Sequence, residues 1–93
     1  MRTLDQELRP HPDAVDTELD GKEVALLHLE SKTYYSLNLT GMRIWHGLKR
    51  GLSLREISRC LQDEFRVDAV TADRCVLELV NELAEQKLVQ PAD

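Results

Sequence analysis

Apolar and polar positions divide the chain into a strand-like stretch followed by a helical one. Residues 24–29 form a stretch that is rich in apolar residues and too short for a helix, and residues 33–37 carry a threonine and two tyrosines. Polar turns at residues 20–22 and 30–32 bound these runs, and residues 14–19 supply a partner strand for the first hairpin. The pattern predicts a three-stranded antiparallel sheet.

The third predicted strand has an outer face without charge. Alternation places Tyr35 and Leu37 on the core face and Tyr34 and Ser36 on the other. Edge strands are usually protected by lysines, prolines or bulges, and the only charge here, Lys32, lies at the start of the strand. Such an edge suits the addition of a strand from another chain, although a single exposed tyrosine in a sheet is common. The sequence does not fix which strand lies at the edge.

Three helices are predicted over residues 39–87. The first helix can be capped by Asn38 or Thr40 and ends at Gly51. The second begins with a capping box of Ser53 and Glu56. The third can be capped by Asp68 and runs to about Lys87. Residues 88–89 follow as a short extended segment. Strands followed by helices predict an α+β domain, winged-helix-like in outline, with a three-stranded antiparallel sheet followed by three helices.

The predicted domain spans residues 14–90. Residues 1–13 contain Pro10 and Pro12 and lack periodicity, so we expect a flexible N-terminal tail. The chain has 93 residues, and a domain of this size buries only about 60–65% of the surface of its unfolded chain. The third helix and the sheet must therefore cover the same core.

The third helix carries more apolar surface than one core face needs. Steps of about 100° per residue from Val76 give an ordinary core stripe. This stripe consists of Ala69, Ala72, Val76, Leu79, Val80 and Leu83. A further apolar shoulder with polar flanks consists of Leu77, Ala84, Val70, Asp73 and Asn81, and Cys75 lies on the opposite shoulder. Either the strands wrap over the further shoulder or it lines a groove for a partner.

The net charge of the chain argues against a nucleic-acid-binding function. Twelve lysines and arginines against seventeen aspartates and glutamates give a net charge of −5, which lacks the general attraction to phosphate that nucleic-acid binders use. The third helix is itself rich in carboxylates, which disfavours it as a recognition helix in DNA. No apolar run is long enough for a membrane span or a signal peptide. Two cysteines without a CxxC pair fit a cytoplasmic protein with reduced thiols.

The sequence contains no constellation of catalytic or metal-binding residues. His11, His28 and His46 fall in the tail, a strand and a helix without the spacing of metal ligands, and Cys60 and Cys75 lie on different helices. Motifs for a nucleophilic serine, a phosphate loop or paired carboxylates are also missing. We therefore expect no cofactor, no metal site and no enzyme activity.

The middle of the chain resembles the PqqD-like family. The residues that carry the resemblance are Asp20 to Ser31, the string Tyr34-Tyr35-Ser36-Leu37-Asn38-Leu39-Thr40-Gly41 with Ile44-Trp45, Leu54 with Ile57, and Phe65-x-Val67-Asp68. The resemblance covers about residues 14–90. Its Leu-Asn-x-x-Gly-x-x-Ile-Trp part is typical of stand-alone members in lasso-peptide clusters. His28 departs from the pattern, because the family often has an acidic residue there.

The resemblance implies a recognition element for ribosomally synthesised and post-translationally modified peptides (RiPPs). Such a domain binds the leader segment of a precursor peptide as a strand added to its third strand, beside its third helix. The implied peptide-binding residues are Lys32, Thr33, Tyr34, Tyr35, Ser36, Leu37, Val70, Asp73, Arg74, Leu77, Asn81 and Ala84. The implied partners are the precursor peptide and a leader peptidase or other RiPP tailoring enzyme, with no nucleic acid and no membrane.

Two further functions stay open on the residues alone. A winged-helix DNA-binding regulator would bind duplex with a steep salt dependence. A permanent accessory subunit of a biosynthetic enzyme would have a fixed partner and no affinity for a short peptide. A homodimer formed through an exposed edge strand is compatible with each function.

Overall fold

The computed structural model describes residue 4 and residues 7–20 and 23–91. The strands are β1 (Leu8–Pro10), β2 (Ala14–Asp20), β3 (Glu23–His28), β4 (Tyr34–Leu37) and β5 (Val89–Pro91), and the helices are α1 (Leu39–Lys49), α2 (Leu54–Phe65) and α3 (Ala69–Glu85). The antiparallel sheet β2-β3-β4 precedes the three helices, so the predicted α+β architecture is confirmed. The third predicted strand corresponds to β4.

β3 is the central strand of this sheet. Its Leu26 lies opposite Tyr35 of β4. Leu26 and Leu37 are buried, Tyr35 is half-buried, and Tyr34 and Ser36 are exposed. The alternation predicted for β4 is therefore confirmed, with the core on the side of Tyr35 and Leu37.

β4 has an unpaired side. Within the described part of the chain, β4 pairs with β3 alone, and we call its other side the free edge. The main-chain N–H of His28 donates to the carbonyl oxygen of Thr33 at 2.9 Å, and main-chain groups along an antiparallel strand alternate between its two sides. The N–H and C=O groups of Tyr34 and Ser36 consequently point toward the free edge.

The core lies between the sheet and the three helices. Its fully buried side chains include Val24, Leu26, Ile44, Trp45, Leu48, Leu54, Ile57, Leu61, Val76, Val80 and Leu83. The indole N–H of Trp45 and the ammonium of Lys49 both donate to Oδ2 of Asp16 on β2, each at 2.7 Å. Partial burial acts to raise the pKa of Asp16, but these hydrogen bonds and the charge of Lys49 hold it below its usual value. This contact fixes β2 against α1.

Each helix begins at a residue whose side chain caps it. Asn38 and Asp68 each accept a hydrogen bond from a main-chain N–H in the first turn, at 2.9 and 2.8 Å. Ser53 and Glu56 form the predicted capping box of α2. Gly51 follows α1 with a φ of +83°, a conformation that glycine adopts without strain. The predicted helix starts and the end of α1 at Gly51 are confirmed, with Asn38 as the cap of α1, whereas α3 ends at Glu85, two residues before the predicted Lys87.

The segment before β2 differs in part from the sequence-based expectation. β1 pairs with β5, with Leu8 opposite Pro91, and Leu8 is only 2% exposed. Periodicity did not predict β1, because its buried residue, Leu8, lies in a strand that pairs with β5 near the other end of the chain. The flexibility expected of residues 1–13 stays a prediction. Residues 1–3, 5 and 6, together with residues 21 and 22 of the predicted turn, lie outside the described residues.

Candidate functional site

A groove lies between β4, the start of α1 and one side of α3. It consists of two adjoining pockets of about 360 and 320 Å³ that share Asn38, Gly41 and Leu79. The residues that line it are Glu23, Tyr35, Ser36, Leu37, Asn38, Thr40, Gly41, Ile44, Cys75, Glu78, Leu79 and Glu82. We call it the β4–α3 groove.

The turn from β4 into α1 shapes one end of the groove. A Cβ atom on Gly41 would lie 3.1 Å from Cδ2 of Leu37 and 3.4 Å from Oδ1 of Asn38, so a side chain there would crowd the turn. The same Asn38 oxygen accepts the N–H of Gly41 and caps α1. Capping thus favours asparagine at position 38 and close packing favours glycine at position 41, which gives this part of the string a local structural cause.

Tyr35 connects β4 to α3 at the groove. Its hydroxyl donates a hydrogen bond to Oε2 of Glu82. Partial burial, followed by the hydrogen bond to Glu82 and the negative charge of that carboxylate, raises the pKa of Tyr35 to about 12. The hydroxyl is therefore a neutral donor at physiological pH, and it fixes the position of one carboxylate on the groove wall.

The groove wall combines apolar and acidic side chains. Leu79 and Cys75 of α3 are half-buried, and Ile44 of α1 is 1% exposed at the base. Glu23, Glu78 and Glu82 add three carboxylates, and no lysine or arginine lines the groove in the described part of the chain. The surface can therefore bind an extended chain through main-chain hydrogen bonds and apolar contacts, with a negative potential along one side.

Three of the six residues predicted in and before β4 line the groove. Tyr35, Ser36 and Leu37 line it, and Tyr34 is 61% exposed on the outer face of the sheet. Thr33 is half-buried in the turn before β4. The remaining predicted residue, Lys32, is exposed in that turn with a φ of 62°.

The six α3 residues of the predicted cleft do not line this groove. They are Val70, Asp73, Arg74, Leu77, Asn81 and Ala84. Oδ1 of Asp73 accepts a hydrogen bond from the hydroxyl of Ser58 on α2 at 2.5 Å, so their shoulder of α3 lies on the side of α2. Leu77 and Ala84 are half-buried against the core, and Val70, Arg74 and Asn81 are exposed.

The opposite shoulder of α3 faces β4. It contributes Cys75, Glu78, Leu79 and Glu82 to the groove, none of which was predicted as a site residue. Helical stepping separates the two shoulders, but it does not say which one faces the sheet, because that depends on where α2 packs. The spacing of Cys75, Leu79 and Glu82 places them on one helix face, but it carries no sign that this face lies toward β4.

The described residues hold neither a cluster of metal ligands nor a disulfide. Within residues 7–20 and 23–91, no three His, Cys, Asp or Glu side chains converge as metal ligands. Cys60 is an exposed thiol and Cys75 a half-buried one, and both are unpaired by disulfides. No helix in the described part of the chain is long and apolar enough to cross a membrane.

Comparison with known proteins decides the family. The family model described as coenzyme PQQ synthesis protein D (PqqD) matches residues 23–89. The chain belongs to the PqqD family. The match runs from β3 to the start of β5 and includes every residue that lines the β4–α3 groove. The PqqD-like resemblance seen in the sequence is thereby confirmed.

Two solved structures are similar to this PqqD-family chain along most of its length. The first, TbiB1 in complex with the TbiA(beta) leader peptide, is 32% identical with a TM-score of 0.84, and the match covers 91% of this chain and 98% of that one. The second, a lasso peptide synthetase B1 complexed with the leader peptide, is 28% identical with a TM-score of 0.81, and the match covers 91% and 99%. No curated protein matches the chain.

Proposed function

We propose that this chain binds the leader segment of a ribosomally synthesised precursor peptide as a strand added to the free edge of β4. The observation that carries the proposal is the edge itself. It presents the main-chain groups of Tyr34 and Ser36 beside a groove that is open between β4 and α3. The two similar structures support it, since both are described as complexes with leader peptides.

Main-chain hydrogen bonds supply the affinity in this mechanism. An added strand pairs with the N–H and C=O groups of Tyr34 and Ser36. Alternate leader side chains then point into the groove, toward Leu79 and Cys75, and the others lie beside Tyr34 on the outer face. Apolar groove contacts fix the register of the leader, because a slip by one residue would move every side chain to the other face.

The proposed binding residues are those of β4, of the turn before it and of one shoulder of α3. From the predicted set we keep Lys32, Thr33, Tyr34, Tyr35, Ser36 and Leu37, and from α3 we add Cys75, Glu78, Leu79 and Glu82. The sequence-based assignment with Leu77 in the cleft stays a prediction, and a matched pair of variants distinguishes it from this proposal.

The chain acts here as a carrier and not as a catalyst. The groove offers main-chain and apolar contacts, and within the described residues no histidine lines it beside the Cys75 thiol. The proposed role is to hold the leader and deliver the precursor to a leader peptidase or another RiPP tailoring enzyme, in the cytoplasm. A homodimer through β4 would compete with the leader for the same edge.

Fluorescence anisotropy tests the proposal directly. The probe is a labelled leader peptide from a short open reading frame encoded beside this gene. Wild-type protein should bind it saturably in the micromolar range or below, which corresponds to about −8 kcal/mol or stronger. Leu79→Glu should weaken binding about tenfold or more, because it places a charge in the apolar wall of the groove.

Leu77→Glu is the matched control, since it makes the same change on the other shoulder of α3. Thermal unfolding of both variants checks that each still folds. If Leu77→Glu loses the leader and Leu79→Glu keeps it, the sequence-based assignment is right. If the wild type binds no neighbouring leader, the permanent-subunit function gains support, and salt-dependent binding of a DNA duplex would favour the regulator.

A further inference from the structure

A second groove lies between α1 and α2. Its volume is about 500 Å³. The two helices touch at its base, because a Cβ atom on Gly47 would lie 2.7 Å from Cγ1 of Ile57. Leu52 and Leu61 extend this apolar base, and charged side chains form the rim. We call it the α1–α2 groove.

The rim of the α1–α2 groove is basic in a chain that is acidic as a whole. Arg43, Lys49 and Arg50 supply three permanent cations against the single carboxylate of Glu64, which leaves the lining at +2 while the whole chain carries −5. His46 lies on the same rim. This reversal of sign concentrates positive potential at one place on the surface.

The rim cations differ in how far they are neutralised. Arg43 pairs with Glu64 at 2.7 Å, and Lys49 pairs with Asp16 at 2.7 Å. Arg50 is exposed at the end of α1 and forms no ion pair with any described residue. Its charge is therefore available to a partner.

We propose that the α1–α2 groove docks an acidic amphipathic segment of another protein. Charge complementarity selects the sign of the partner, since carboxylates would face Arg50 and the rest of the basic rim. The apolar base favours an amphipathic segment, because leucine-like side chains fit between two helices. A phosphodiester backbone has no apolar group that could fill this base. The net charge of the chain further disfavours a nucleic acid in this groove.

The two grooves lie on different sides of α1. The α1 residues that line the β4–α3 groove are Thr40, Gly41 and Ile44. Those at the α1–α2 groove are Arg43, His46, Gly47, Lys49 and, just after the helix, Arg50. By helical stepping the two sets are centred roughly a third of a turn apart around the helix. The two grooves share no lining residue, so a partner docked here would lie on another side of α1 from the bound leader. That last step rests on the proposed function, whereas the docking surface itself does not.

The test uses a labelled short peptide with leucines one helical turn apart and glutamates around them. A matched peptide has glutamine in place of glutamate. We expect the acidic peptide to bind at low salt and to shift the amide NMR signals of α1 and α2, with weaker binding of the glutamine peptide. Arg50→Glu should reduce affinity about tenfold or more, because a like charge replaces an opposite one.

Two controls separate this inference from bulk charge and from leader binding. Arg9→Glu makes the same change in net charge at an exposed residue of β1 that does not line the groove, and it should keep the affinity within about twofold. Leader affinity should be the same for Arg50→Glu and wild type, with or without saturating acidic peptide. Wild type that binds the acidic peptide but no leader would contradict the proposed function and leave the docking surface supported.

Several outcomes would overturn the inference. They are no saturable binding of the acidic peptide, equal losses in Arg50→Glu and Arg9→Glu, shifts confined to β4 and α3, and tighter binding of a DNA duplex than of the peptide at the same salt concentration. Competition between the acidic peptide and the leader would also do so, because it would place both in one groove.

Discussion

The two outer strands of the sheet differ in how they meet the helices. On β2, Asp16 holds both Trp45 and Lys49 of α1, and Glu18 lies 3.9 Å from Nε2 of His46. β4 meets α3 through the hydroxyl of Tyr35, which donates to Glu82, and a groove remains open beside that contact. One edge is thus charged and fixed to a helix, and the other is uncharged and accessible.

This difference indicates which edge of the sheet can accept a strand from another chain. Inward-pointing charges and irregular pairing protect sheet edges from other chains, and β2 has both, with Asp16 and Glu18 and a register shift between Glu18 and Asp20. β4 has neither of these features in its four residues. Of the two outer strands of this sheet, β4 is therefore the one whose edge, within the described residues, suits an added strand.

The largest expected effect comes from blocking the free edge of β4. Ser36→Pro removes an N–H that points outward and puts a ring in its place, so leader affinity should fall about tenfold or more through lost hydrogen bonds. Glu18→Pro makes the equivalent change on β2 and should leave leader affinity unchanged. Anisotropy titrations of the two variants measure the contrast, and wild-type affinity in Ser36→Pro would exclude strand addition at this edge.

The contact that fixes β2 should matter for stability. Asp16→Ala leaves the buried indole N–H of Trp45 without its acceptor, which should lower the free energy of unfolding by about 1–3 kcal/mol. Glu18→Ala, at an exposed and weaker pair, should cost less than about 0.5 kcal/mol. Urea unfolding at neutral pH gives both values. Equal losses would show that the two carboxylates fix β2 to the same extent.

The Asp16 contact also predicts an acid dependence. Its pKa is lowered in the folded state, so its contribution is present at neutral pH and is lost as the pH falls through that lowered value. The stability difference between wild type and Asp16→Ala should therefore shrink in acid. A difference that stays constant down to pH values well below the usual carboxylate range would contradict this.

The Tyr35 contact on the β4 side should have a smaller effect. Tyr35→Phe removes its hydrogen bond to Glu82 and should lower the free energy of unfolding by about 1 kcal/mol. The pKa of Tyr35 is raised to about 12 from 10.0, so this stabilisation is complete below pH 10 and is lost as the pH rises toward 12. An absorbance titration at tyrosinate wavelengths should lose its component near pH 12 in the variant.

The smallest expected effect concerns the outer face at the free edge. Tyr34 is 61% exposed, so Tyr34→Lys should keep the fold while it protects the edge with a charge. Leader affinity should fall by a few fold, since cross-strand pairs contribute about 0.2–1 kcal/mol. Thr17→Lys, on the same face of β2, is the control and should leave leader affinity unchanged. A larger loss in Thr17→Lys would move the peptide to the β2 edge.

Local signals in the sequence predicted most of the elements. The caps of the helices and the alternation of Tyr34 to Leu37 depend on residues a few positions apart, and the structure has them where the pattern placed them. The orientation of α3 is a different case. It depends on the hydrogen bond between Asp73 and Ser58 and on the packing of α2, which no spacing within α3 encodes.

The same limit applies to the start of the chain. Leu8 belongs to the core because β1 pairs with β5, some eighty residues later along the chain. Long-range pairing of two three-residue strands leaves no periodic signal in either. Three β4 residues of the groove were therefore predicted from a local string, whereas none of the α3 residues that line it was, because the spacing within α3 does not say which of its two shoulders faces β4.

The pairing of β1 with β5 also suits the domain for insertion into another protein. Leu8 and Pro91 lie opposite each other in adjacent strands, and Cα atoms of such partners are about 4.5–5.5 Å apart. A host protein could receive the whole domain within one of its surface loops without separating that loop's ends, as is common for domains with neighbouring termini. A short linker across β1 and β5 would equally allow the chain to be circularly permuted and reopened at the loop between α1 and α2.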